Sequence, residues 1–300
     1  MGGMTMTFMS KKKSLLVAAA LGISLITGAP QTTFAAEAQP YTQQDLNAEL
    51  TMAAAWMQNS AEYRELCYQA YNAALDQVVR AVAHHKTGDK PLAIVLDADE
   101  TVLDNSAFEA GLIGTDNAYS NKNWDAWCAA AKATAMPGAA EFLQSVDKLG
   151  VDIFYVTNRS MKTQYDGSAK NMKAVGFPQI DREHMLFKTD TSNKQPRYDA
   201  VSQKYDVVVY LGDNAGDLPI GTYHKGQQER NALVDQHKAE FGHRFIALPN
   251  PTYGDWEPAL KQDGKFGDYW KLTPAEKSKV RNEAMRKWQP EDTKAADAAK

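Results

Sequence analysis

Cysteine is scarce in this sequence, with only Cys67 and Cys128 in 300 residues. Two cysteines cannot supply a structural zinc site, and there is no Cys-x-x-Cys pair for redox chemistry. Both cysteines lie in helical patterns among apolar neighbours. The sequence therefore leaves two possibilities open, a disulfide in an oxidising compartment or two buried free thiols.

Metal-binding histidine motifs and glycine-rich phosphate loops are also missing. The six histidines show no metal-ligand spacing such as His-x-x-x-His, which argues against zinc. No strand pattern is followed by a Walker loop or by Gly-x-Gly-x-x-Gly. These absences exclude P-loop nucleotide hydrolysis and dinucleotide binding of the usual kind.

Excess charge of either sign is lacking as well. The chain has 33 Lys and Arg against 37 Asp and Glu, a formal net charge of -4. Basic patches interleaved with aromatic residues do not occur. Because nucleic-acid binding depends on neutralising phosphates, we expect no nucleic-acid partner.

The N-terminal residues show the order of a secretory signal peptide. Lys11-Lys12-Lys13 precedes a short apolar stretch, 14–26, and small residues lead to Ala35 and Ala36. The stretch is too short for an ordinary membrane span, although a retained signal anchor is the alternative. No cysteine follows it for lipid attachment. We expect residues 1–36 to be removed, leaving a soluble periplasmic or secreted protein without a membrane anchor.

Helical and strand patterns alternate in the rest of the chain, which predicts a parallel sheet flanked by helices in one α/β domain, 37–300. Residues 42–85 have helical spacing, and 105–127 lack a clear period, as expected of a functional loop or small cap. The predicted strands are residues 92–96, 151–156, 185–187, 206–211 and 245–248.

Polar residues follow the predicted strands at one end. Because the carboxyl ends of parallel strands form one edge, we expect these residues to converge there. The residues are Asp97 and Asp99, then Thr157 and Asn158, then Lys194 in the loop after the third strand, then Asp213 and Asp217.

The four strand-end aspartates require a positive partner because converging carboxylates repel. An EF-hand is excluded because its sixth position needs Gly, where this chain has Val102. Oxygen ligands without histidines favour Mg²⁺ over Zn²⁺. Thr157, Asn158 and Lys194 add hydrogen-bond donors and a positive charge suited to a phosphate group. Without a nucleotide-cradling loop, such a phosphoryl-transfer site needs a carboxylate nucleophile.

These motifs resemble those of the haloacid dehalogenase (HAD) superfamily. The matching elements are Asp-x-Asp-x-Thr at 97–101, Thr157, Lys194 and Gly-Asp-x-x-x-Asp at 212–217. More narrowly, the chain resembles the class C (DDDD-type) bacterial acid phosphatases from about residue 42 to 256. The narrower likeness lies in residues 96–105 (LDADETVLDN), 156–159 (VTNR) and 248–257 (LPNPTYGDWE).

The resemblance implies a Rossmann-like HAD core, a parallel sheet flanked by helices. It also implies a small, mostly helical cap built from the N-terminal helices and an insertion after the first strand. We expect cap contributions from about 42–85 and 105–135. The lipid-attachment cysteine common in these proteins is missing here, which puts membrane anchoring in doubt.

The resemblance also assigns roles to particular residues. Asp97 would be the nucleophile and Asp99 the general acid and base. Mg²⁺ would be held by Asp97, the backbone carbonyl of Asp99, and Asp213. Asp217 would act on the metal side, either through water or by orienting Lys194.

Phosphate and substrate contacts follow from the same resemblance. Thr157 and Lys194 would bind phosphoryl oxygens, with help from Asn158. Trp124 and Tyr253 would form an aromatic substrate clamp able to stack a nucleoside base, although packing within the cap is the alternative.

The predicted function is therefore hydrolysis of small-molecule phosphate monoesters, including nucleoside monophosphates, by an exported Mg²⁺-dependent acid phosphatase. Two alternatives remain open from the sequence: phosphotransfer to alcohol acceptors, and a ligand-binding or adhesion protein on a phosphatase scaffold. A homodimer is plausible for a protein of this family.

Overall fold

The computed structural model describes residues 40–261 and 266–289, which belong to one compact unit. The predicted signal peptide, residues 1–36, lies outside the described residues. The strands within the described ranges are β1 (Leu92–Leu96), β2 (Leu103–Asp104), β3 (Thr134–Ala135), β4 (Asp152–Ser160), β5 (Met185–Lys188), β6 (Asp206–Gly212) and β7 (Phe245–Ala247).

Helices connect these strands and cover the sheet. The α-helices are α1 (Gln43–Ala48), α2 (Thr51–Asn59), α3 (Ala61–His84), α4 (Ser106–Leu112), α5 (Asn121–Ala130), α6 (Ala139–Lys148), α7 (Tyr165–Ala174), α8 (Gln195–Lys204), α9 (Gln227–Gln236), α10 (Trp256–Ala259) and α11 (Pro274–Ala284). Short 3-10 helices span Ala215–Asp217 and Phe266–Lys271.

The central sheet has five parallel strands in the order β5-β4-β1-β6-β7. Strand β1 lies in the middle, where Leu96 pairs with Tyr155 of β4 and Leu211 of β6. The chain runs to one side of β1 first and returns on the other, so a ligand crevice is expected at the carboxyl edge beside β1. The predicted parallel α/β sheet is confirmed.

Strand β4 extends further than the sequence suggested. We expected it to end at Val156, but it continues to Ser160 through an irregularity between Thr157 and Ser160. Two extra residues, Asn158 and Arg159, lie between the Thr157–Phe187 and Ser160–Lys188 pairs. A bulge of this kind bends a strand and redirects its side chains, and Arg159 within it is buried.

Alternating side chains of the sheet enter two apolar layers. Ile94 and Leu96 pack in the layer that contains the buried faces of α3, α6 and α7. Ala93 and Val95 face the opposite layer, which contains residues of α8. Because both faces of β1 are covered, all five of its residues are buried, and the strand reads as a continuous apolar run.

The cap takes a smaller share of residues 42–85 than we expected. Helix α3 packs against α6, β6 and β7, so it belongs to the layer flanking the sheet. Helix α2 instead packs on α4, and buried Asn47 of α1 donates to the carbonyl oxygens of Leu112, Thr115 and Asn117 at 3.1, 2.9 and 2.9 Å.

The insertion after β1 is more regular than its sequence indicated. It contains α4, α5 and the small antiparallel pair of β2 and β3. Helix α4 has only seven residues, fewer than a periodicity argument needs. The insertion and the helices α1 and α2 make the predicted mostly helical cap.

Both cysteines are free and buried, Cys67 in α3 and Cys128 in α5. Burial raises the pKa of each thiol to about 12, so both are poor nucleophiles near neutral pH. Within residues 40–261 and 266–289, no helix has the length and apolar character of a membrane span.

Gly167 of α7 allows close contact with the cap helix α5, which generates a prediction. A Cβ at this position would lie 2.8 Å from the carbonyl carbon of Cys128 and 2.9 Å from the Cα of Ala129. Both neighbours are backbone atoms, which cannot move away by a side-chain rotation. The added methyl group would therefore clash, and Gly167→Ala should lower the free energy of unfolding by about 1–3 kcal/mol.

Urea denaturation of Gly167→Ala and a matched control, Gly111→Ala, measures this. Gly111 lies in α4, and a Cβ added there would meet open space, since no atom lies within 4 Å of it. Its replacement should leave stability unchanged or raise it by up to ~1 kcal/mol. Equal midpoints for the two variants would contradict the proposed close packing of α5 and α7.

Candidate active site

The loop after β1 places its acids by a tight backbone turn. The Asp97 N–H continues the sheet ladder by donating to Leu211 O at 3.0 Å. The chain then turns back, because the N–H groups of Val102 and Leu103 both donate to Ala98 O, at 3.0 and 2.8 Å. Tyr71 of α3 braces this turn by donating its hydroxyl to Thr101 O at 2.6 Å.

Asp97 forms a buried charge cluster with Lys194 and Asp217. Lys194 Nζ lies 2.5 Å from Asp97 Oδ1 and 2.7 Å from Asp217 Oδ1. Burial alone would lower the pKa of Lys194, but the two carboxylates outweigh it and raise that pKa. Burial raises the pKa of Asp97 to about 7, with Lys194 opposing and Asp217 adding to the rise.

Asp213 follows β6 and is oriented through both of its oxygens. Thr101 donates its hydroxyl to Oδ1 at 3.0 Å, and Asn250 donates its amide to Oδ2 at 2.9 Å. These partners come from the loops after β1 and β7, so three strand ends fix one carboxylate. Burial, and then the charges of Asp217 and Asp97, raise the pKa of Asp213 well above its usual range.

A divalent cation fits this group of carboxylates. One oxygen from each of Asp97, Asp213 and Asp217 lies within 4.8 Å of the others. Lys194 is the cation that contacts the group, through Asp97 and Asp217. Burial first, and then the neighbouring carboxylates, raise the pKa values of Asp97 and Asp213, although one ammonium group lies beside the three carboxylates. An all-oxygen donor set suits a hard cation.

Gly212 explains part of the Gly-Asp-x-x-x-Asp motif. A Cβ here would lie 2.9 Å from Asp217 Oδ2 and 3.0 Å from Asp217 Cγ, so only glycine lets that carboxylate approach β6. Asp217 Oδ2 also accepts the Asn214 N–H at 2.9 Å, while Oδ1 contacts Lys194. Asp217 therefore contacts Lys194 directly, and its two expected roles, orienting Lys194 or acting on the metal through water, stay predictions.

Thr157 and Asn158 lie at the end of β4 in different environments. Thr157 is buried, and its Oγ1 accepts the Arg159 N–H at 3.1 Å, which leaves its hydroxyl proton available for an anion. Asn158 is exposed. Its side chain donates to Ser192 O at 3.0 Å and accepts from Arg197 Nη2 at 2.7 Å. This orientation fits bracing of the loop before Lys194 better than phosphate binding.

Asp99 is paired with Arg159, a residue for which the sequence suggested no role. Arg159 Nη2 lies 2.6 Å from Asp99 Oδ1, and Nε lies 2.9 and 3.1 Å from Oδ1 and Oδ2. Asn105 donates its amide to the same Oδ1 at 2.9 Å. The two aspartates of the Asp-x-Asp motif therefore have different partners, Lys194 for Asp97 and Arg159 for Asp99.

Glu100 is fully buried beside these two aspartates. It adopts a left-handed backbone conformation, φ 50°, which is uncommon for a residue other than glycine. Its carboxylate accepts from the Asn105 N–H at 2.7 Å and from the hydroxyl of Tyr253. Tyr253, expected in a substrate clamp, is half-buried and its hydroxyl is occupied in joining the loops after β1 and β7.

Trp124 belongs to an aromatic cluster in the cap. Its ring is only 8 % exposed; it packs edge-on against Phe108 at 5.0 Å and has the Arg159 guanidinium over its face at 5.4 Å. Tyr119, 6.1 Å from Trp124, is 60 % exposed. The exposed aromatic face of this cluster thus belongs to Tyr119, which the sequence did not single out.

The sheet and its edge define a class of enzyme. An aspartate pair follows the central strand, and a threonine lies near the end of the neighbouring strand. A lysine and a second aspartate pair complete one charge cluster. These are the elements of a HAD-type phosphohydrolase.

Comparison with known proteins narrows this class. A family model described as HAD superfamily, subfamily IIIB (Acid phosphatase) matches residues 12–256. The chain belongs to this subfamily and is a phosphoric monoester hydrolase.

Two solved structures are similar over most of the chain. The class C acid phosphatase from Bacillus anthracis shares 40 % identity with a TM-score of 0.75, over 81 % of this chain and 99 % of that chain. A second structure of the Bacillus anthracis enzyme, with tungstate bound, has the same identity of 40 % and TM-score of 0.75. It also covers 81 % of this chain and 99 % of that chain. The resemblance to class C acid phosphatases is confirmed.

The Tyr253–Glu100 bond generates a stability prediction. Tyr253→Phe keeps the ring but leaves a buried carboxyl oxygen without this donor, so the free energy of unfolding should fall by about 1–3 kcal/mol. Chemical denaturation measures the loss. A ring needed only for its aromatic face would leave stability unchanged in the Phe variant.

A matched control is Tyr205→Phe. Tyr205 packs on Phe154 beside the start of β6, at the opposite edge of the sheet, and its replacement should change stability by no more than about 0.5 kcal/mol. In the double variant Tyr253→Phe/Glu100→Gln, the two losses should not add, because the residues share one bond.

Proposed function

We propose that the protein is an exported, Mg²⁺-dependent acid phosphatase that hydrolyses phosphate monoesters through a phosphoaspartate on Asp97. The observation that carries the proposal is the convergence of Asp97, Thr157, Lys194 and Asp213 at one edge of the sheet, in a chain of the acid phosphatase subfamily. Binding alone would not require a buried nucleophile next to a second, separately paired acid.

The phosphoryl group would lie between Asp97 and the donors on the neighbouring strands. Thr157 would donate its hydroxyl to one phosphoryl oxygen, because its own oxygen already accepts a backbone N–H. Lys194, held by Asp97 and Asp217, would offset negative charge on the transferring group. These contacts orient phosphorus toward the Asp97 carboxylate and stabilise the transition state.

The reaction then needs two displacements. In the first, an Asp97 oxygen forms a bond to phosphorus while the ester P–O bond breaks, and Asp99 gives its proton to the departing oxygen. In the second, Asp99 takes a proton from water as the water oxygen attacks phosphorus. The Asp97–phosphorus bond breaks and inorganic phosphate leaves.

Mg²⁺ would be held by Asp97, Asp213 and the backbone carbonyl of Asp99, with Asp217 on the same side. When bound, it supplies positive charge that offsets the carboxylates and the phosphoryl oxygens. The oxygen-only donor set supports Mg²⁺ rather than a metal that prefers nitrogen or sulfur.

Export is proposed from the N-terminal sequence, in which Lys11-Lys12-Lys13, an apolar stretch and small residues precede Ala35 and Ala36. Cleavage there would release a periplasmic or secreted protein. A homodimer stays a prediction.

The function is tested with Asp97→Asn. The purified wild-type protein should release phosphate from p-nitrophenyl phosphate, lose this activity with EDTA, and regain it with Mg²⁺. Asp97→Asn should lower kcat by at least about 10³-fold, because the amide is a far weaker nucleophile than the carboxylate. Mg²⁺ should still raise the melting temperature of this variant, because Asp213 and the side-chain oxygen of the introduced amide remain as ligands.

The control is Asp235→Asn, which removes an exposed carboxylate on α9 and should retain wild-type activity. Activity that persists in Asp97→Asn would overturn the phosphoaspartate mechanism. Activity that survives EDTA would overturn the metal requirement alone.

Nucleoside monophosphates are proposed as substrates because an exposed aromatic ring lies close to the acid. Tyr119 contacts Trp124, which in turn covers Arg159, the partner of Asp99. Because stacking of a base on an aromatic ring contributes about 1–3 kcal/mol, Tyr119→Ala should raise KM for AMP by roughly 5- to 100-fold.

The same variant should change KM for glycerol phosphate, which has no base, by less than about threefold. Tyr119→Phe keeps the ring and is the matched control, with KM for AMP close to the wild-type value. A parallel rise in KM for both substrates would count against base stacking on Tyr119.

A further inference from the structure

We propose that Arg159 is the positioning residue of the leaving-group acid, fixing Asp99 so that Oδ2 is the oxygen that carries and transfers the proton. The inference rests on the proposed phosphatase reaction and deepens it. It concerns a residue that neither binds phosphorus nor touches the carboxylate cluster of Asp97, Asp213 and Asp217.

Arg159 is held in a single orientation from several directions. Its side chain is 2 % exposed, although it ends an irregular segment of β4. Nη1 donates to Ser168 of α7 at 2.8 Å, and Nη2 donates to Asn105 Oδ1 at 3.2 Å as well as to Asp99. The Trp124 ring covers one face of the guanidinium at 5.4 Å.

The two oxygens of Asp99 have unequal partners. Oδ1 accepts from Arg159 Nη2 at 2.6 Å, Arg159 Nε at 2.9 Å and Asn105 Nδ2 at 2.9 Å. Oδ2 accepts one longer bond, 3.1 Å, from the same Nε. Three donors saturate Oδ1, so a proton on this carboxyl group is accommodated on Oδ2.

Asn105 makes this arrangement rigid. It is fully buried at the start of α4, and its side-chain oxygen also accepts from Trp127 Nε1 of α5 at 2.8 Å. The amide orientation follows from its partners, because Nδ2 faces carboxylates and Oδ1 faces two N–H donors. A buried network in which every member has a partner holds its geometry well.

The proton transfer balances with these groups alone. As the ester P–O bond breaks, the Oδ2–H proton passes to the departing oxygen, and Asp99 becomes a carboxylate paired with Arg159. In the second displacement the same oxygen accepts a proton from the attacking water. Arg159 keeps its proton throughout because guanidinium is not deprotonated in proteins.

Direct phosphate binding by Arg159 is the competing role. The nitrogens Nε, Nη1 and Nη2 all already donate to protein groups, to Asp99, Ser168 and Asn105. Only the second N–H of Nη1 could meet a phosphoryl oxygen without displacing one of these buried partners. Thr157 and Lys194, by contrast, lie beside Asp97.

The test compares two substrates whose leaving groups differ in their need for a proton. Nitrophenolate is a stable anion and leaves unprotonated, whereas the ethoxide of ethyl phosphate must be protonated as it departs. The quantity measured is kcat/KM, which covers the steps up to leaving-group departure and is blind to later hydrolysis of the intermediate.

Arg159→Met should lower kcat/KM for ethyl phosphate by about 10- to 100-fold and for p-nitrophenyl phosphate by no more than about threefold, since general acid catalysis contributes about 10²–10⁴-fold. Inhibition by inorganic phosphate should be unchanged. Arg159→Lys keeps the charge but cannot donate two parallel bonds, so it should show the same pattern with a smaller loss. If Arg159→Met does not fold, Arg159→Lys carries the comparison.

Ser168→Ala is the matched control, because it removes the Nη1 partner that faces away from Asp99; it should affect both substrates equally. Equal losses on both substrates in the Arg159 variants, with weaker phosphate inhibition, would assign Arg159 to phosphate binding and overturn the proposal. Undiminished activity on ethyl phosphate would also overturn it. A wild-type protein that hydrolyses neither ester would refute the phosphatase function instead.

Discussion

Repulsion among carboxylates that converge at one edge of the sheet is the constraint on which the rest of the site depends. Asp97, Asp213 and Asp217 are brought together by the ends of β1 and β6, with Lys194 as their shared cation. Contacts from neighbouring residues reduce the free-energy cost of bringing these carboxylates together. Thr101 and Asn250 donate to Asp213, and Gly212 lets Asp217 approach the strand. A cation supplied from solution would complete the balance and would tie the folding of this edge to metal binding.

A second, separate charge pair is formed by the other aspartate of the Asp-x-Asp motif. Asp99 follows Asp97 by two residues, yet its partner is Arg159 of β4 rather than Lys194. One short motif therefore supplies two carboxylates in different surroundings. Asp97 lies beside Lys194, and Asp99 lies beside Asn105 of the insertion. Different environments for two neighbouring acids are the usual way in which an active site divides nucleophilic and acid–base work.

The sequence predicted the strand ends well, but it did not predict which residues distant in the chain contact one another. The five strands and the residues that follow them could be predicted, because an apolar run that stops at an acid is a local pattern. The role of Arg159 could not, because its partners Asp99, Asn105 and Ser168 come from three other segments of the chain. The Tyr253–Glu100 bond joins residues 153 positions apart, and nothing local marks either as the other's partner. Likewise, helical spacing in 61–84 could not reveal that α3 packs mainly in the layer that flanks the sheet.

The place of Asn105 in the chain has a consequence for how such enzymes diversify. It begins α4 within the insertion after β1, and its partner Trp127 also belongs to that insertion. Yet its side-chain amide donates to Asp99, which follows the central strand of the core. The insertion is therefore not an interchangeable module: in the proposed mechanism, a chimera that carries another relative's cap would also gain or lose the residue that supports the proton donor. Under that mechanism, a change of cap alters substrate range and acid–base chemistry together.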